Sequence, residues 1–142
     1  WRDILPTDAV TLRSISTGTW NEELKYTIYY KTNLVSEERV LAERLSTGTN
    51  NTIDCSASAL KLKAGEVITE IRFDFGTVQP GFEPVTNPYI TCLVHPDLPH
   101  EYRFKNCTDV GGERGDEWVI DKDCWVTVIY AVPKGKLPKT GN

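Results

Sequence analysis

The sequence predicts an all-β domain, a β-sandwich with a flexible C-terminal tail, and three observations carry that expectation. The first is alternation of period two. In "EVITEIRFDF", Val67, Thr69, Ile71, Phe73 and Phe75 line one face, and Glu70, Arg72 and Asp74 line the other. A helix with one buried side does not give that pattern. The second is composition, because the runs between turns are rich in β-branched and aromatic residues, which fit a pleated surface. The third is spacing: turn-forming clusters recur at short intervals with no helical pattern between them, as in sandwich folds.

Residues 1–8 read as an N-terminal linker, and a single module is expected over 9–132. "VTLRSI" alternates Val10 and Leu12 with Thr11 and Arg13. "KYTIYY" puts Tyr26, Ile28 and Tyr30 on one face and Lys25, Thr27 and Tyr29 on the other. "SEERVLAERL" has an apolar spacing that suits either period, and we read it as a strand. "YITCLV", "YRFKN", "EWVI" and "CWVTVIY" complete the set. Gly and Pro mark turns in "STGT" (16–19), "STGTNN" (46–51), "KAGE" (63–66), "QPGF" (79–82), "HPDLPH" (95–100) and "DVGGERGD" (109–116). The doubled "STGT" has unlike flanks and reads as one turn chemistry used twice. Residues 133–142 form a linker rich in Pro, Gly and Lys.

Bulk properties narrow the function. A chain of 142 residues with 39% hydrophobic content suits one domain with a real core. The net charge is −4 and the Lys and Arg residues are scattered, which argues against nucleic acid as a partner. No apolar run approaches the roughly 18 residues of a membrane span, so no membrane contact is expected within this fragment. No signal peptide is visible. The absence of Met and the start at Trp1 lead us to expect a processed chain or a piece of a longer one.

Candidate chemistry is sparse. The two histidines, His95 and His100, share one short stretch, which reads as a surface hairpin loop rather than a preorganised site. Cys92 and His95 are three apart, so a strand would point them to opposite faces. Asp109, Glu113, Asp116 and Glu117 surround a Gly-rich loop, but the ligand ladder of a calcium loop is missing and Arg114 sits in the middle. No catalytic residue, metal or cofactor is therefore expected. Asn50-Asn51-Thr52 and Asn106-Cys107-Thr108 fit the glycosylation triplet, which matters only in a eukaryotic source. Cys55, Cys92, Cys107 and Cys124 contain no C-x-x-C pair, and zinc or thioredoxin chemistry loses support. In an exported chain they are disulfide candidates, with three complete connectivities open. Tyr26, Tyr29 and Tyr30 form a weak candidate ligand patch, since one side of that strand faces outward if the sheet is solvated on one side.

The last motif is Leu137-Pro138-Lys139-Thr140-Gly141. This LPKTG resembles the sorting signal of sortase-anchored surface proteins of Gram-positive bacteria. "TDVGGERGDEWVIDKDCWVTVIYAVPKGKLPKTG" is similar to the wall-proximal end of such proteins. "LKAGEVITEIRFDFGTVQPGF" resembles their Ig-like or prealbumin-like repeats. The likeness covers residues 8–141. It implies that a sortase cysteine attacks the Thr140 carbonyl, releases Gly141 and passes the new carboxyl end to an amine of the cell-wall precursor. Leu137 and Pro138 would be the recognition residues. The physics agrees: Pro138 discourages helix and strand pairing and keeps the backbone open to an enzyme, and Gly141 leaves the carbonyl uncrowded. The implied protein is a non-enzymatic, extracellular, wall-attached stalk module, adhesin-like in role. The alternative is a domain that itself grips a host matrix protein, immunoglobulin or glycan. Four cysteines are unusual for that family, and the chain stops one residue after Gly141, which keeps an engineered sortase handle as an alternative. Related modules carry a Lys–Asn isopeptide between first and last strands; "VTLRSI" has no Lys and "CWVTVIY" no Asn, so none is expected.

Overall fold

The computed structural model describes residues 1–95 in full, and the backbone of 102–114 and 117–129. It is an all-β fold. Eleven strands run in chain order among the described residues: β1 (Arg2–Ile4), β2 (Val10–Ser16), β3 (Thr19–Trp20), β4 (Lys25–Thr32), β5 (Arg39–Ser46), β6 (Thr52–Asp54), β7 (Ile68–Asp74), β8 (Pro84–Thr86), β9 (Tyr89–Val94), β10 (Tyr102–Arg114) and β11 (Glu117–Ile129). One helical turn, α1 (Ala57–Leu60), lies between β6 and β7, with the Ser56 hydroxyl accepting from the Ala59 N–H as its N-cap. The strands form a six-stranded antiparallel sheet in the order β11-β10-β1-β7-β4-β5. A three-stranded sheet β6-β2-β9 and the small pair β3-β8 complete the fold.

Both larger sheets feed one core. Tyr26, Ile28, Tyr30, Ile68, Ile71 and Phe73 of the large sheet meet Leu12, Ile15 and Cys55, which lie on or beside the three-stranded sheet, in one buried cluster. Burying each large apolar side chain is worth about 1.5–3 kcal/mol, so this cluster is the main source of stability. Aromatic edges add to it. Phe73 meets the Trp1 ring edge-on at 5.0 Å, and Phe75 lies 4.5 Å from the Trp20 ring and 4.9 Å from Phe82.

The N-terminal linker expected over residues 1–8 is corrected. β1 is an interior strand, with Arg2 opposite Arg72 on one side and Asp109 on the other. The Phe73 N–H donates to the Trp1 carbonyl at 2.7 Å, and Leu5 and Ala9 are buried. Three residues are too few to show a period, and Pro6 after them reads as a break, so the sequence hid a strand that two neighbours supply with hydrogen bonds.

Other elements show where local geometry departs from simple alternation. "SEERVLAERL" contributes β5, a strand as expected, but Arg44 has φ +58 and the register against β4 slips there. That bulge breaks strict alternation along the strand, in a segment whose apolar spacing suits either period. β7 carries a second irregularity: its register with β4 shifts between Lys31 and Thr32, and Ile68 rather than Thr69 joins Ile71 and Phe73 in the core. Within "DVGGERGD", which reads as a turn, residues 109–114 stay paired. β10 continues through Gly111 and Gly112 to Arg114, opposite β11 from Glu117 onward. Continuous pairing with β11 outweighs the local turn preference of the two glycines.

The two "STGT" segments are brought together. Thr17 and Thr47 are both wholly buried. The Thr17 N–H donates to the Asn51 carbonyl, and the Asn51 N–H donates to the Thr17 hydroxyl at 2.8 Å. The Asn50 side-chain oxygen accepts from the Ser16 hydroxyl and the Gly18 N–H. The Thr47 hydroxyl donates to the Glu22 carbonyl and accepts from the Leu24 N–H. The turns are not alike, however. Gly18 has φ +69 and packs against the backbone of residues 86–88, whereas Gly48 is not left-handed and meets only the Ser46 hydroxyl at 3.6 Å.

Candidate functional site

The expected sorting motif, Leu137 to Gly141, lies outside the described residues, as does the tail from 130 onward; the last described residue is Ile129 of β11.

β4 does not present the expected patch of three tyrosines. Tyr26 and Tyr30 point inward and are 2% and 6% exposed, so they belong to the core and not to a recognition surface. Burial pushes the Tyr26 phenol above its ordinary range. Only Tyr29 lies on the outer face, and there the Arg72 guanidinium covers its ring at 4.7 Å. Arg72 is held in turn by Glu38, at 2.8 and 3.1 Å, and by Asp74 at 3.1 Å. The strand has one solvated face, as alternation requires, but a cation–π pair and two carboxylates occupy it.

The most tightly organised polar group was not anticipated. Glu66, buried at the end of the "KAGE" turn, accepts from the Thr32 hydroxyl at 2.6 Å, the Arg39 guanidinium at 2.6 Å and the Lys63 N–H at 3.0 Å. Arg39 also donates to the Thr32 hydroxyl at 3.2 Å and lies over the Tyr30 ring. The Thr32 hydroxyl and the Lys63 N–H, with Arg39 assisting, hold the Glu66 carboxyl down to about 2. Both carboxylate oxygens are engaged within the protein, so the group reads as a clamp joining the ends of β4, β5 and the turn before β7. A sequence signal existed in the turn itself, but nothing in it named Thr32 and Arg39 as partners.

His95 is tied to the loop before β2. One ring nitrogen lies 2.9 Å from the Thr11 hydroxyl and the other 3.2 Å from the Asp8 carbonyl. The ring thus bridges a hydroxyl of β2 and a backbone carbonyl of the loop that precedes it. His100 lies outside the described residues. Among the described residues, no group of three or more His, Cys, Asp or Glu side chains is arranged to hold a metal ion.

A recess of about 270 Å³ opens beside the β3-β8 pair, lined by Asn21, Glu22, Gln79, Pro80, Gly81 and Phe82. Several of its polar groups bond to one another. The Asn21 amide donates to the Gly81 carbonyl and its oxygen accepts from the Glu83 N–H, while Glu22 accepts from the Gln79 N–H. The Phe82 ring stacks on Trp20 at 5.1 Å. Each of these contacts braces the "QPGF" turn, in which the Phe82 N–H bonds back to the Gln79 carbonyl.

No family model, no curated protein and no solved structure matches the chain.

The cysteines divide into two pairs. Cys55 and Cys92 are thiols that pack in or against the core, Cys55 with 2% exposure. Burial pushes the Cys55 thiol up to about 12 and the Cys92 thiol up to about 11, which leaves both protonated and weakly nucleophilic at neutral pH. Cys107 and Cys124 are opposed across the β10–β11 ladder. Exposed apolar groups gather on β8 and β9, where Val85 is 72%, Tyr89 60% and Leu93 53% exposed.

Proposed function

We propose that this chain is a non-enzymatic stalk module of a cell-wall-anchored surface protein, with its two larger sheets forming an Ig-like or prealbumin-like sandwich and its tail serving as a sortase substrate. The observation that carries the reading is Leu137-Pro138-Lys139-Thr140-Gly141, set beyond the last strand on a Pro/Gly/Lys linker. The single core fed by both sheets supports the sandwich.

The strand order supports a load-bearing role. β1 and β11 are both antiparallel to β10, which lies between them, so they run in the same direction. Tension applied at Trp1 and at Ile129 would pull the two strands in opposite directions along their axes. The interstrand hydrogen bonds then share the load in shear instead of breaking one after another. That arrangement suits a spacer between an anchored tail and a distal domain.

A second reading, a module that itself grips a host protein or glycan, is favoured by the exposed Val85, Tyr89 and Leu93, and no longer by the tyrosines of β4. Incubation of the chain with a housekeeping-class sortase and an oligoglycine acceptor tests the leading reading. The expected product is residues 1–140 joined to the acceptor, lost in Leu137→Ala and Pro138→Ala variants. An intact chain after prolonged incubation would remove its main support.

A further inference from the structure

We propose that Cys107 and Cys124 form a cross-strand disulfide that locks the last hairpin, and that Cys55 and Cys92 stay thiols. The sequence alone leaves three complete connectivities open. The topology separates them, independently of whether the tail is a sortase substrate.

The β10–β11 ladder pairs residue with residue from Tyr102↔Ile129 to Arg114↔Glu117 without a slip, and Cys107↔Cys124 is one of its rows. Directly opposed residues of an antiparallel pair have α-carbons about 4.5 or 5.5 Å apart. Both separations fall within the roughly 4.4–6.8 Å that a disulfide spans. Cys55 and Cys92 are placed differently. Cys55 follows β6 and its N–H donates to the Arg13 carbonyl, whereas Cys92 of β9 is opposite Leu12. β2 therefore runs between them. Two strand spacings amount to about 9.5 Å, beyond the roughly 7 Å at which bridging demands backbone movement. The burial of Cys55, the partial burial of Cys92 and the raised pKa of both thiols agree with an unreactive pair.

The bridge has a defined place in the fold. Ile4 of β1 pairs with Cys107, so Ile4, Cys107 and Cys124 form one row across three strands. A covalent link there fastens β11 to β10 at the row where β10 also holds β1. Formation needs an exchangeable disulfide as oxidant. One cysteine thiolate attacks that disulfide and expels a thiol, giving a mixed disulfide. The second thiolate then attacks the protein sulfur and expels the other thiol, so two protein thiols are oxidised as one external disulfide is reduced.

The test uses the folded full chain equilibrated with glutathione disulfide, then unfolded in the presence of iodoacetamide and digested with trypsin. Cleavage after Lys and Arg places the four cysteines on separate peptides, 45–61, 73–103, 106–114 and 123–134. The expected result is a reducible link between 106–114 and 123–134, with Cys55 and Cys92 fully alkylated. Any link through Cys55 or Cys92, glutathione left on Cys107 or Cys124, or four alkylated cysteines would overturn the proposal. A second readout is independent of peptide recovery. Dithiothreitol should lower the urea midpoint of the oxidised wild type and leave that of the Cys107→Ala/Cys124→Ala chain unchanged; equal responses would count against the bridge.

Discussion

Replacing Gly18 with Ala should be far more damaging than the same change at Gly65, although both glycines have left-handed backbones, with φ +69 and +75. A β-carbon at residue 65 would meet nothing within 4 Å, so only the conformational penalty applies there. For an L-residue that penalty is about 1–2 kcal/mol. At residue 18 the added carbon would lie 2.3 Å from the Thr86 carbonyl oxygen, 2.8 Å from the Pro88 nitrogen and 3.0 Å from the Asn87 carbonyl carbon. All three are backbone atoms of the β8–β9 connection, so no side chain can swing aside. Overpacking of this kind adds about 1–3 kcal/mol, for a total of about 2–5 kcal/mol. With a urea m-value of about 2 kcal/mol/M, the midpoint should fall by about 1–2.5 M in Gly18→Ala and by about 0.5–1 M in Gly65→Ala. Equilibrium unfolding followed by tryptophan fluorescence measures both. Equal shifts in the two variants would show that the close approach of the first "STGT" turn to residues 86–88 is wrong.

Three further outcomes follow from the fold. Glu66 is held at about 2 in the folded chain against an ordinary value of 4.5. Its depressed pKa contributes stability that is full above pH 4.5 and lost as pH falls toward 2, so a Glu66→Gln chain should show a flatter decline of the urea midpoint across that window. Cys55 and Cys92 should resist a thiol reagent at pH 8 in the folded chain and react at once in denaturant; rapid labelling of the native state would contradict their burial. Deleting residues 1–5 should abolish cooperative unfolding in circular dichroism, because β1 is the strand that β7 and β10 both pair with; a truncated chain that unfolds like the full one would restore the linker reading.

The strand content was readable because alternation and β-branched composition are local properties. Val10, Leu12, Tyr26, Ile28, Ile71 and Phe73 are buried as their period demands. What the sequence concealed depends on partners far along the chain. β1 is too short to carry a period and exists because β7 and β10 flank it. Ile68 enters the core through a register shift that no alternation announces. The outward tyrosine could not be chosen from "YTIYY" alone, since both faces are aromatic; the burial of Tyr26 and Tyr30 decides it. Cys107 and Cys124 were two of four equal candidates until the hairpin register set them opposite each other. The "STGT" repeat was visible, but its hydrogen bonds join residues more than thirty positions apart, which no local rule reaches.

Attachment is tested most directly on the wall of a Gram-positive cell that expresses and exports this chain ahead of an intact sorting region. Peptidoglycan is purified, boiled in detergent, digested with a muralytic enzyme and cleaved on the amino side of aspartate, and the C-terminal peptide that begins at Asp123 is weighed. The expected peptide ends at Thr140 and carries a wall cross-bridge fragment in amide linkage. A released peptide still containing Gly141, or recovery of the chain in the detergent wash alone, would contradict it.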